Sequence, residues 1–116
     1  MNTFVNFSNH PSCRWSDLQI REAKKFGLIV DLPYPTVNPG FGEQEIAELS
    51  DEYVEKILAY NPSAVLCQGE FTLCYGVVSR LKSLGVAVMA ACSERDVIET
   101  EEGKITKFKF VRFREY

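Results

Sequence analysis

Hydrophobic positions along the chain switch between two rhythms. In Thr3 to Ser8 (TFVNFS) the apolar residues Phe4, Val5 and Phe7 fall in a span of strand length, and a strand is predicted. NHPSCR follows as a loop. WSDLQIREAKKFG then carries helix-start and helix-stop signals: Ser16 as N-cap, Gln19 at the capping-box position, and Trp15 and Ile20 as a hydrophobic staple. Lys24 and Lys25 suit the last turn, and Gly27 suits the position just beyond it. Leu28 to Leu32 is a second strand, stopped by Pro33 and Pro35, which cannot donate to a ladder. TVNPGFG is a loop with a Pro-Gly turn signal.

From Glu43 to Tyr60 the apolar residues Ile46, Leu49, Tyr53, Val54, Ile57 and Leu58 have helical spacing. Ser50-Asp51 could split that helix, and Asn61-Pro62 closes it. SAVLCQ is a third strand, Gly69 to Thr72 a junction, and Leu73, Cys74, Val77, Val78, Leu81 and Leu84 mark a third helix that ends at Gly85. VAVMAAC is a fourth strand. DVIETEEGKITKFKFVRF has two strand-like halves around Glu101-Glu102-Gly103, a hairpin signal. The second to fourth runs show little alternation, as expected of strands covered on both faces.

Strand–helix alternation with short crossovers predicts an α/β fold. The expected architecture is a single Rossmann-like domain over residues 1–116. Helices flank a parallel sheet of order 2-1-3-4 in a core of residues 1–95, and a C-terminal antiparallel β-hairpin occupies 96–116. One domain also suits 116 residues, a length that buries about two-thirds of the unfolded-chain surface.

The fold predicts where chemistry would sit. In such sheets ligands bind beyond the carboxyl ends of the strands, at the switch point, here between strands one and three. The loops SNHPSCR and QGEFT would then face each other. Gly69 lets a backbone approach a ligand, and the N–H groups that open the third helix suit a phosphate. Glu70 would repel an anion; it either caps the helix or handles a proton or a ribose hydroxyl. Any strand-to-helix turn can also need a glycine and an acid for structure alone. Histidine is the side-chain type that changes charge near neutral pH. The chain has one, His10, in the crevice loop with Asn9, Ser12 and Arg14. It is read as an acid–base group, a phosphate contact, or a surface loop residue. Ser93, Glu94 and Arg95 follow strand four on the same rim, where a solvated loop is the plainer reading. Asp31 ends strand two and reads as a turn or cap residue before a ribose contact.

Composition narrows the classes. A net charge of −3 argues against a duplex nucleic-acid or membrane-surface binder, although a local site can oppose the global sign. No signal-like N-terminus or membrane-length apolar run is present, so a cytoplasmic protein is expected. Cys13, Cys67, Cys74 and Cys92 form no CxxC pair, and they read as reduced, buried small hydrophobes. With a single histidine no zinc spacing exists, and no metal or cofactor is expected. In KITKFKFVRFREY, Lys104, Lys107, Lys109, Arg112 and Arg114 interleave with Phe108, Phe110 and Phe113. Single-stranded nucleic-acid binders share this pattern, but so does an edge strand protected by charge, which is the preferred reading. The apolar side of that strand could support a homodimer.

The phrases QGEFTLCYGVVSRLKSLG, ACSER and FKFVRFREY, with the order of elements, resemble small CRISPR-associated Rossmann-like (CARF-related) proteins, among them ring nucleases of type III CRISPR defence. The resemblance covers about half the chain, from Ala64 onward. It implies a homodimer that binds cyclic oligoadenylate at the strand carboxyl ends, and some members of the group cleave it without metal. The ribose 2′-hydroxyl would attack the neighbouring phosphorus. His10 and Glu70 are then the candidate catalytic residues. Asn9, Ser12, Gln68, Gly69, Thr72, Ser93 and Arg95 are the candidate ligand-binding residues. The alternative is a non-enzymatic nucleotide-sensing or protein-interaction module of the same fold. A thiol enzyme built on Cys13 or Cys92 is a third reading.

Overall fold

The computed structural model describes residues 2–116. Five strands and three helices follow in the order β1 (Thr3–Ser8), α1 (Asp17–Lys24), β2 (Leu28–Pro33), α2 (Glu43–Leu58), β3 (Pro62–Cys67), α3 (Phe71–Ser83), β4 (Ala87–Thr100) and β5 (Gly103–Glu115), with one 3₁₀ turn at Ser12–Arg14. They build an α/β fold on one mixed sheet of order β2-β1-β3-β4-β5. Its first four strands are parallel, and β5 runs antiparallel to β4.

Two expectations need correction. The sheet is not a four-stranded parallel one with a separate hairpin appended. VAVMAAC runs on unbroken into DVIET as the 14-residue β4, so the hairpin is the far half of two long strands and belongs to the same sheet. Ser50-Asp51 does not split α2. The Ser50 hydroxyl donates back to the Ile46 carbonyl at 2.7 Å, and Asp51 takes a 2.7 Å ion pair from Arg80 Nε on α3. A serine that bonds within the helix loses its reason to leave it.

The caps are largely those the sequence signals. Ser16 Oγ accepts from the Gln19 N–H and opens α1. The Gly42 N–H donates to Glu45 Oε2 at the start of α2. Asn61, with φ 51, turns the chain out of α2 ahead of Pro62.

Each strand alternates its side chains between two faces. Val5, Phe7, Val65, Cys67 and Val88 pack under α2 and α3 with Val54, Ile57, Leu73, Val77 and Leu81. Phe4, Ala64, Leu66 and Met89 face the other way, toward Ala23 of α1 and toward Phe110 and Phe113 of β5. Two long helices cover the first face; the second has only the 8-residue α1 and the curl of β5. That imbalance leaves room on the second face. β2 is an edge strand, and its faces are not both covered as its apolar run suggested: Leu28 is 60% exposed, and Ile29, Val30 and Leu32 are only half-buried.

β5 contains a bulge. Cys92 pairs with Arg112 and Ser93 with Phe110, so Val111 is extra. The bulge explains how Phe110 and Phe113, three residues apart, both reach the second core. A regular strand would turn one of them to solvent. It also sets the charge pairing of the projecting hairpin, placing Glu94 opposite Lys109, Asp96 opposite Lys107 and Glu99 opposite Lys104. Were the ladder regular, with Val111 paired to Ser93, Arg95 would face Lys109.

Candidate functional site

On the thinly covered face, at the carboxyl ends of β1 and β3 and beside the middle of β4, lies a cavity of about 770 Å³. Its polar wall is Ser8, His10, Arg14, Ser16, Gln19, Gln68 and Ser93. Its apolar wall is Trp15, Leu66, Ala91, Phe108 and Phe110. A concave, mostly apolar space with a few convergent polar groups is the usual form of a small-molecule site.

The wall is held from below. Asn6, buried in the middle of the sheet, donates through Nδ2 to the His10 carbonyl and to Asp31 Oδ1, both at 2.9 Å. Its Oδ1 accepts from Ser8 Oγ at 2.6 Å, and Ser8 Oγ accepts from the His10 N–H at 3.2 Å. Trp15 Nε1 donates to the same His10 carbonyl at 3.0 Å. Asp31, at the end of β2, receives the Ser12 N–H and hydroxyl. The loop that carries His10 and Arg14 is therefore fixed at both His10 and Ser12. On the opposite wall Gln68 Oε1 accepts the Ala91 N–H at 2.9 Å, bridging β3 and β4 where their ladder has ended. Such second-layer bonds hold a site's groups in one geometry before any ligand arrives.

The residues singled out by sequence are divided between several places. His10, Gln68 and Ser93 meet in the large cavity. Asn9 lines a smaller hollow beside Asp31 and Tyr34. Ser12 is engaged by Asp31, which makes Asp31 an anchor for the loop. Arg95 lies on the projecting hairpin opposite Phe108. Glu70 and Thr72 line a different cavity of about 650 Å³, between α2, α3 and the loop before α2.

The Gly69–Thr72 junction has a structural explanation. A Cβ on Gly69 would lie 2.3 Å from the Tyr34 ring, so the glycine exists to admit that ring. Tyr34 stacks on Phe7 with centroids 4.6 Å apart and donates its hydroxyl to the Glu70 carbonyl at 2.8 Å. Burial pushes the Tyr34 phenol far up, which keeps it a neutral donor. Glu70 is the N-cap of α3: its carboxylate accepts from the Leu73 and Thr72 N–H groups and from the Thr72 hydroxyl. The Leu73 N–H, then Thr72, hold that carboxyl below its ordinary range. Glu70 and His10 therefore do not share a site.

A prediction follows for Glu70. Glu70→Ala is expected to cost about 1 kcal/mol near neutral pH, the usual value of an N-cap. A lowered folded-state value means that the carboxylate's contribution is present above the unfolded carboxyl range and disappears as pH falls through the folded value. Urea melts of the two proteins should therefore converge in strong acid. A gap that stays constant with pH would show that the carboxylate is not the cap.

Arg14, Trp15, Ser8, Phe108 and Phe110 also line the cavity, yet none stood among the candidate site residues. Arg14 was the findable one, lying four residues from His10 in the same loop. The two phenylalanines were hidden by the bulge.

Among the described residues no cluster of three or more His, Cys, Asp or Glu could hold a metal, and no helix is long and apolar enough to cross a membrane. Comparison with curated proteins and with solved structures finds no match. A family model matches residues 2–114, nearly the whole chain, and the chain belongs to the family it describes, the uncharacterized protein MJ1673 family.

Proposed function

We propose that the protein binds a cyclic oligoadenylate in the 770 Å³ cavity and opens the ring without a metal. The carrying observation is that His10 and Arg14, on one anchored loop, share a cavity with the rings of Trp15 and of Phe108 from β5. Arg14 suits a phosphate, and an aromatic face suits an adenine base. In this reading the domain is Rossmann-like and the site lies at its strand carboxyl ends. A ring extends beyond one cavity of this size, so a second copy of the chain supplies the other half.

The chemistry asks little of the protein. The ribose 2′-oxygen attacks the adjacent phosphorus, the bond to the 5′-oxygen breaks, and a 2′,3′-cyclic phosphate remains. His10 would move the proton and Arg14 would meet the charge that develops on phosphorus. Binding without turnover is the second reading, and the placement of Glu70 favours it: its carboxylate caps α3 and lines another cavity, so His10 has no carboxylate partner there.

The test is incubation with cyclic tri-, tetra- and hexa-adenylate in EDTA, with mass spectrometry of products and thermal shift in parallel. Linear products ending in a 2′,3′-cyclic phosphate support cleavage, and a shift with intact rings supports sensing. Arg14→Ala is expected to weaken ring binding roughly 10- to 100-fold, the loss of one charge-assisted contact. No shift with any ring, or an Arg14→Ala variant that binds as well as the wild type, would sink this assignment.

A further inference from the structure

The turn from β3 into α3 brings two cysteines together that sequence spacing does not pair. Cys67 ends β3 and is fully buried; Cys74 lies in the first turn of α3 and is only half-buried. Their sulfurs are 3.7 Å apart. The Tyr116 hydroxyl closes over the pair, donating to the Cys67 carbonyl at 2.7 Å and standing 3.7 Å from Cys74 Sγ.

The two thiols are unequal for physical reasons. The two sulfurs share a contact in which either can donate, and Cys74 Sγ also reaches the Cys67 carbonyl at 3.5 Å; with Cys67 as the donor that bond brings the Cys74 thiol below its ordinary range, helped by Tyr116 and the Gly69 backbone. The same bond and burial push Cys67 up. A thiol near a helix N-terminus with donors around it is the environment of a reactive cysteine, and a thiol in apolar surroundings is the opposite.

We infer that Cys74 and Cys67 form a hydroperoxide-oxidisable pair, with Cys74 the attacking thiol and Cys67 the resolving one. The Cys74 thiolate attacks a peroxide oxygen, an S–O bond forms, the O–O bond breaks, and the departing oxygen leaves as water after taking a proton. Cys67 then attacks the sulfenic sulfur. An S–S bond forms, the S–O bond breaks, and a second water carries away the Cys67 proton. The two sulfurs together lose two electrons, and hydrogen peroxide accepts them.

The test uses the whole reduced chain. It is exposed to stoichiometric hydrogen peroxide, alkylated, digested with trypsin and weighed. Residues Ile57 to Arg80 form one tryptic peptide that holds both sulfurs and no other cysteine. That peptide should lose the mass of two hydrogens, resist alkylation and recover with dithiothreitol, while the Cys13 and Cys92 peptides stay alkylated. The rate should fall as pH drops and Cys74 takes up its proton, at a pH below the ordinary thiol range. In Cys67→Ala the product should become a sulfenic acid at Cys74, trapped by dimedone. If that buried substitution does not fold, Cys74→Ser should leave Cys67 as a free thiol after the same exposure. Oxidation that appears first at Cys13 or Cys92, with both sulfurs of the 57–80 peptide still alkylated, would overturn the assignment.

Discussion

Phe4→Ala is expected to destabilise the protein by about 3–5 kcal/mol, the usual cost of emptying a buried aromatic site. Phe4 has no exposed surface, and three rings pack on it: Trp15 at 6.3 Å, Phe26 at 5.8 Å and Phe113 at 5.1 Å between centroids. These come from the loop after β1, from the segment after α1, and from β5. Phe4 is therefore where three segments of the thin side of the molecule meet. The face has little else to close around a void, because α1 contributes a single fully buried residue, Ala23. A domain has in total about 5–15 kcal/mol of stability, so the variant should be close to unfolding at ambient temperature. Denaturant titration reads the loss directly. A cost below about 1 kcal/mol would mean that the face repacks, and that the cavity next to it is soft.

Gly69→Ala is expected to cost about 3 kcal/mol, near the top of the range for overpacking. The cause is steric and not conformational, because Gly69 is not among the glycines with positive φ. The added methyl would meet the Tyr34 ring on three of its carbons, at 2.3 to 2.5 Å. Tyr34 cannot retreat cheaply, since Phe7 stacks beneath it and its hydroxyl is bound to the Glu70 carbonyl. A double-mutant cycle isolates the cause. In a Tyr34→Ala background the Gly69→Ala penalty should nearly vanish. If it persists there, the glycine serves something other than the ring.

The helices and most strands were legible because their burial follows the period of the backbone. Ser16 and Gln19 announced α1, and Ile46, Leu49, Val54 and Ile57 announced α2. The site was legible only as a region. His10 and Gln68 follow from the ends of β1 and β3 facing one another, a consequence of topology, and Ser93 joins them from the middle of β4. What escaped depends on partners distant in the chain. The role of Gly69 is written at Tyr34, 35 residues earlier, and the role of Asp31 is written at Ser12. Glu70 had an open choice between cap and catalyst, and only the placement of its oxygens on Leu73 and Thr72 decides for the cap. Cys67 and Cys74 looked like separate core residues because a six-residue gap matches no familiar thiol spacing.

The bulge at Val111 bears on how this chain can change length. Val111 has no partner across the ladder, and it is 46% exposed. Every other rung on either side is defined without it: Arg112 with Cys92 and Phe113 with Ala91 toward the body, Phe110 with Ser93 and Lys109 with Glu94 toward the tip. Loss of one residue at this point leaves both halves of the hairpin in their present pairing and only straightens the strand. Loss of one residue nearer the tip of β5, at Lys107 for example, shifts the stretch between it and the bulge by one place, turning Phe108 and Phe110 to the other face and setting Lys109 opposite Arg95. Position 111 is thus where the strand tolerates a deletion, and relatives one residue shorter in β5 should carry their gap there.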